Sequence, residues 1–162
     1  MSKLPIDQAL HRLMHAYHHA LRQCYRTAGL ALPLSHIRTL KVIDHLHRQT
    51  DSHCTAQAIA ARVERDKAQI ARVVKELEAE ALIERRDNPE DRRSHLLSLT
   101  GAGQTTLVAI HQAEQAAGQA LTRGLNQDQL DTFIQLSQTM TQNLLPGGEA
   151  PATSNHPSPE AP

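Results

Sequence analysis

Residues Thr55 to Thr100 read TAQAIAARVERDKAQIARVVKELEAEALIERRDNPEDRRSHLLSLT, and the pattern in this stretch decides the fold. Thr55 is placed to cap a short helix whose apolar side is Ile59 and Val63, and Glu64-Arg65 forms a turn. Asp66 and Gln69 have capping-box spacing, which satisfies free N–H groups where a second helix starts. That helix buries Ile70, Val73, Val74 and Leu77 and turns Lys67, Ala68, Gln69, Arg72 and Lys75 outward. Leu82 to Arg86 and Ser94 to Leu99 then read as strands, joined by the turn formers Asn88-Pro89-Glu90-Asp91. The prediction is helix, turn, helix and a two-stranded ribbon with Arg92 and Arg93 at its tip.

Such a unit suits the grooves of double-stranded DNA, with the second helix in the major groove and the ribbon tip at the adjacent minor groove. Arg65, Lys67, Arg72 and Lys75 face only Asp66, and Glu76, Glu78 and Glu80 follow, so positive charge is confined to one end of the helix. A guanidinium at Arg72 can read guanine and an amide at Gln69 can read adenine. The plainer reading is a solvated arginine and a capping glutamine. The neighbouring ribbon favours contact for Arg72 and leaves Gln69 open. Lys67 and Lys75 are expected at phosphates, which position without specifying sequence. Asp91 precedes the two arginines and can hold one of them extended toward a narrow, electronegative minor groove.

Outside this stretch the chain is helical. Ile6, Leu10, Leu13, Met14, Tyr17, Leu21 and Cys24 recur at helical spacing, predicting one amphipathic helix from about Pro5 to Ala28, closed by Gly29. Leu30 to Leu34 is a turn around Pro33, and Ser35 is the expected N-cap of a helix that buries Ile37, Leu40, Ile43 and Leu46. The polar stretch Gln49 to His53 ends it. Thr100 caps a fifth helix to about Arg123, and Asn126 a sixth carrying Leu130, Phe133, Ser137, Met140 and Leu144. From Pro146 the composition is that of a disordered tail, residues 146–162.

With 162 residues and only 2% aromatic side chains, a core of Leu, Ile, Val and Ala is expected, which favours packed helices. The formal net charge of zero argues against non-specific coating of nucleic acid but allows a local basic patch. Two cysteines give no disulfide framework or metal-finger spacing. With no apolar signal segment and no run near the ~20 residues a membrane helix needs, a cytoplasmic protein without a membrane partner is expected.

Leu77-Glu78, Leu82-Ile83-Glu84-Arg85, Asp91-Arg92-Arg93 and Leu99-Thr100 with Gly103 carry a resemblance to the multiple-antibiotic-resistance regulator (MarR) family of winged-helix proteins. The resemblance implies a mainly α fold, α+β in its winged helix-turn-helix, with six helices and a two-stranded wing. It spans residues 1–145, with a DNA-binding lobe at about 35–100 and dimerisation helices at about 5–28 and 101–145. It further implies a homodimeric, ligand-responsive repressor that binds a pseudo-palindromic operator and needs no cofactor. Arg93 would be the groove-inserting residue and Asp91 its orienting partner. DNA contact is thus expected at Arg65, Lys67, Ala68, Gln69, Arg72, Lys75, Asp91, Arg92 and Arg93. A small, often aromatic, effector would sit near Tyr17, Leu21, Tyr25, Ile37 and Leu40. Ala81 stands where the family usually has glycine; a left-handed alanine costs about 1 kcal/mol, so a slightly altered turn is expected.

Some relatives sense oxidants through a first-helix cysteine, but Cys24 lies on the apolar stripe, where a thiol is usually inert. Cys54, just before a helix N-terminus, is the better placed thiolate. His11, His15 and His18 line one helix face and could supply part of a metal site, although a solvated surface explains them equally well. A histidine-rich metal-sensing or metal-handling protein is therefore the alternative function, with no metal ligand assigned. The sequence has no nucleophile–base motif, phosphate loop or paired carboxylates, so no enzyme is expected.

Overall fold

A computed structural model describes residues 5–49 and 53–145. The expected tail 146–162 and part of the Gln49–His53 break lie outside the described residues. In chain order the elements are α1 (Ile6–Thr27), α2 (Leu34–Arg48), α3 (Ala56–Val63), α4 (Lys67–Ala79), β1 (Ile83–Asp87), β2 (His95–Leu99), α5 (Gly101–Thr122) and α6 (Gln127–Leu144). The chain forms two compact units, residues 1–121 and 122–162.

Within the first unit, α2, α3, α4 and the wing close over one aliphatic core. Leu40 and Ile43 of α2, Ile59 of α3, Leu77 of α4, Leu97 of β2 and Ile110 of α5 are its most deeply buried members. The strands pair antiparallel in the register Ile83↔Leu99, Arg85↔Leu97 and Asp87↔His95, one residue later at the start than the sequence suggested. Leu97 also donates its N–H to the Cys54 carbonyl (2.8 Å), and His47 Nε2 contacts the Leu97 carbonyl (2.8 Å). These bonds tie the wing's second strand to the segment before α3 and to α2.

The predicted helix caps are met at most of the helix starts. Thr55 accepts from Ala58 N–H, and Asn126 and Gln129 complete a reciprocal capping box. Asp66 accepts from Gln69 N–H (2.9 Å), but only this half of the expected box forms, which leaves the Gln69 amide facing outward. The Ser35 cap is corrected. Helix α2 begins two residues earlier, with Pro33 at the N-cap and no side-chain cap bond. A proline there fixes φ near its helical value, and the Ser35 hydroxyl turns instead toward His36 Nδ1 (3.3 Å).

Helix α4 ends in a Schellman motif. Ala81 N–H bonds the Glu78 carbonyl (2.9 Å) and Leu82 N–H bonds the Leu77 carbonyl (3.0 Å). Ala81 has φ +54°, so the left-handed conformation usual for glycine is kept by alanine. The Thr100 hydroxyl donates to the Ala81 carbonyl (2.6 Å) and accepts from Gly103 N–H (3.0 Å). A Cβ at position 103 would overlap the Leu82 carbonyl oxygen, so the start of α5 packs against this turn only as glycine.

In the second unit, α6 buries none of its described residues; Phe133, Ile134, Leu136 and Met140 are all about half exposed. Among the described residues no helix is long and apolar enough to cross a membrane. Relieving the strain at one backbone position gives a direct stability test. Ala81→Gly is expected to raise stability by about 1 kcal/mol in denaturant unfolding at fixed protein concentration. An unchanged midpoint would show that residue 81 carries no strain.

Candidate nucleic-acid interface

Helix α4 has one buried face, Ile70, Val73, Val74 and Leu77, which docks it on the core. The opposite face is therefore held outward, and Lys67, Ala68, Gln69, Ala71, Arg72 and Lys75 are all exposed on it. Arg65 precedes the helix and is exposed as well. No ion pair to Arg65, Lys67 or Lys75 is present among the described residues, so their charge faces solvent.

Arg72 is different. Its side chain is 82% exposed, yet Nε donates to Glu76 Oε1 at 2.9 Å. The other carboxylate oxygen, Oε2, lies 3.2 Å from Nε2 of His36, which is only 4% exposed. The hydrogen bond from Arg72 holds the Glu76 carboxyl below its ordinary range, and the same bond pushes the guanidinium further up.

The wing tip is built from side-chain-to-backbone bonds. Asn88 is buried; its Oδ1 accepts from Glu90 N–H (3.0 Å) and its Nδ2 donates to Ser94 Oγ (2.8 Å). Asp91 Oδ1 accepts from the backbone N–H of Arg93 (2.9 Å), an Asx turn. The sequence reading had this carboxylate holding a guanidinium. The structure instead has it holding the main chain from which Arg93 projects, because a short side chain reaches an amide two residues on more readily than a flexible arginine head. Arg92 and Arg93 are exposed. At the base of the wing Arg85 makes two bonds to Glu78 of α4, Nε–Oε1 at 3.0 Å and Nη2–Oε2 at 2.6 Å. This fork sets the wing's angle to the helix.

The predicted residues fall into two concavities beside α4. Arg65, Gln69 and Arg72 line one of about 550 Å³ with His36 and Glu76. Lys67, Asp91 and Arg93 line another of about 620 Å³ between helix and wing, with Arg85 and Asn88. Ala68, Lys75 and Arg92 line neither. Sequence reasoning missed Arg85, Glu78, Glu76 and His36. Arg85 and Glu78 stand in the quoted motifs, but their pairing joins a strand to a helix, which helical spacing does not reveal.

A third concavity of about 550 Å³ lies among α1, α2, α3 and α5. Of the residues named for an effector, Leu21, Tyr25 and Ile37 line it. Tyr17 and Leu40 do not; Leu40 is wholly buried in the core instead. Arg22, Arg38, Lys41 and Arg62 surround it, opposed by Glu114, whose Oε1 accepts from both Tyr25 OH (3.0 Å) and Lys41 Nζ (2.6 Å). Burial and that carboxylate push the Tyr25 phenol well up. Cys54 is buried, and burial pushes its thiol up to about 12, so the site is no better for a thiolate than the apolar stripe that holds Cys24. Cys24 is half-buried beside the core. His11, His15 and His18 are exposed on α1.

The model of the MarR family matches residues 17–94, which hold α2 to α4, the second half of α1 and the wing to its tip. No significant match is found among curated proteins. Among solved structures, a cysteine-to-serine variant of MarR from E. coli superposes with a TM-score of 0.70 at 22% identity, over 87% of this chain and 99% of that one. The same variant complexed with operator DNA gives 0.67 at 22% identity, over 85% and 94%. Bordetella bronchiseptica BpsR, whose DNA binding is regulated by 6-hydroxynicotinic acid, gives 0.66 at 20% identity, over 87% and 96%. Together with the helix-turn-helix and its wing, the match places residues 17–94 in the MarR family of winged-helix transcriptional regulators.

Proposed function

We propose that this protein is a homodimeric repressor that binds a pseudo-palindromic operator and is released by a small anionic effector. The observation that carries the reading is the outward face of α4, where Arg65, Lys67, Arg72 and Lys75 stand exposed beside the exposed wing arginines. In this reading α4 enters the major groove, Arg72 and Gln69 reach base edges, and Lys67, Lys75 and Arg65 meet phosphates. Ala68 is small enough to let the helix lie close to the bases. Arg92 and Arg93 reach the neighbouring minor groove. The operator complex of the E. coli protein supports this assignment by its fold.

Homodimerisation rests on uncovered apolar surface. On α1, Ile6, Leu10, Leu13 and Met14 are exposed, and α6 presents its own apolar face; patches of that extent are covered in stable proteins. An effector fits the cavity of Leu21, Tyr25 and Ile37, where the surrounding cations favour an anion and the apolar lining favours a ring. BpsR, which responds to an aromatic acid, supports that class of ligand.

Four measurements check the proposal. Sedimentation at micromolar concentration is expected to give a dimer, and a folded monomer would overturn the dimer reading. Selection of bound DNA fragments is expected to yield an inverted repeat whose binding weakens steeply with salt. On that operator, Arg72→Ala should lose specific affinity while Lys75→Ala weakens all DNA alike and shallows the salt slope by about one. Equal losses on operator and random DNA would make Arg72 a phosphate contact. At the wing, Asp91→Asn keeps the acceptor for Arg93 N–H and removes a charge that repels phosphate, so binding should hold or tighten. Asp91→Ala loses the turn and should bind roughly three- to tenfold more weakly. Tighter binding by the alanine variant would make Asp91 a charged surface residue only.

A further inference from the structure

An exposed arginine paired to a glutamate one turn away is ordinarily a weak and mobile contact. The pair Arg72–Glu76 differs because its carboxylate is anchored from behind. Glu76 gives one oxygen to each of two donors, Oε1 to Arg72 Nε (2.9 Å) and Oε2 to His36 Nε2 (3.2 Å). The His36 ring is buried in the first turn of α2, so it cannot follow a wandering side chain. Its other nitrogen, Nδ1, faces the Ser35 hydroxyl at 3.3 Å. A hydroxyl donating to Nδ1 leaves the neutral ring's one proton on Nε2, directed at Glu76. The chain Ser35–His36–Glu76–Arg72 thus has a hydrogen-bond partner at every link. It runs from the core to the outward face of α4.

The consequence lies in what is left free on Arg72. With Nε engaged, the guanidinium plane is held and both terminal nitrogens point onward, the end-on fork that pairs with two acceptors on one base. We propose that Glu76, anchored by His36, is a positioning residue that presets Arg72 for the base it reads and thereby sets sequence preference in each half-site. This rests on the reading of Arg72 as a base contact given above. A carboxylate this close to a DNA-facing surface repels phosphate, so a glutamate with no such role would be improved by its own removal. The sign of its effect therefore separates the two cases.

The test uses the full-length protein, its selected operator, single-base-pair variants of that operator and random DNA. Glu76→Gln keeps the side chain's shape but has one oxygen for two donors. It is expected to bind the operator about three- to tenfold more weakly, with random-DNA affinity unchanged or raised by the loss of a charge that repels phosphate. Its preference should flatten at the same base pair that Arg72→Ala affects, and the double variant should be no worse than Arg72→Ala alone. His36→Phe keeps the ring's bulk without the donor and should behave like Glu76→Gln. His36→Gln, which returns an N–H donor at similar reach, should restore the wild-type preference. Thermal unfolding of each variant separates a folding defect from a binding one, and the surface change at Glu76 stands if His36→Phe does not fold. If Arg72→Ala loses preference at one base pair while Glu76→Gln keeps it or binds the operator more tightly, the positioning role is wrong. If Arg72→Ala itself loses operator and random DNA equally, the reading of Arg72 fails and takes this inference with it.

Discussion

The whole DNA-facing lobe depends on one joint, where the end of α4 meets the start of α5. The Thr100 hydroxyl bridges the Ala81 carbonyl and the Gly103 N–H, while the Leu82 carbonyl fills the space where a Cβ of residue 103 would stand. The Thr100 N–H closes on the Leu82 carbonyl as well (3.1 Å). These contacts bring the chain leaving β2 back against the chain entering β1. The wing consequently emerges from a fixed base, and α5 leaves in a fixed direction. The left-handed residue at 81 makes the turn tight enough for this to happen.

From that base, polar contacts of two kinds carry rigidity outward. The Arg85–Glu78 fork braces the wing against the helix, and the Asn88 and Asp91 side chains fold the tip by bonding main-chain N–H groups. Each saves the chain some ordering cost when it meets a partner, because the main chain of the tip is already placed. Acidic residues within a basic surface are therefore structural here. Glu76, Glu78 and Asp91 each accept from a neighbouring donor, while Lys67, Lys75 and the tip arginines are left outward. A chain of zero net charge can in this way present a local positive face.

The apolar surface follows the same division of labour. Leu40, Ile43, Ile59 and Leu77 complete a core within the lobe, whereas the N-terminal half of α1 and the apolar face of α6 find no cover within their own units. Aliphatic side chains suit both uses, so the lobe folds around its own core while the terminal helices keep surface for a second subunit in the proposed dimer. The cavity beside Tyr25 touches α1, α2, α3 and α5, so a ligand there would bear on the lobe and on α1 together.

The sequence by itself determined the elements. Periodicity marked all six helices, turn formers marked the wing, and Thr55, Asp66, Thr100 and Asn126 marked helix starts, because caps and amphipathic stripes are local in the chain. The outward set Lys67, Gln69, Arg72 and Lys75 was legible for the same reason: once Ile70, Val73 and Leu77 are buried, helical geometry leaves no other direction. Tertiary structure decided what local pattern cannot express. Ser35 looked like a cap, but Pro33 starts the helix and frees the hydroxyl for His36. Cys54, beside a helix N-terminus, looked the better of the two sites for a thiolate, but the core closes over it and desolvation pushes the thiol up. Leu40 looked like a pocket wall and lies inside the core. His36 with Glu76, Arg85 with Glu78 and Gly103 with Leu82 are pairs between different elements, and their meeting depends on how those elements pack rather than on any spacing along the chain.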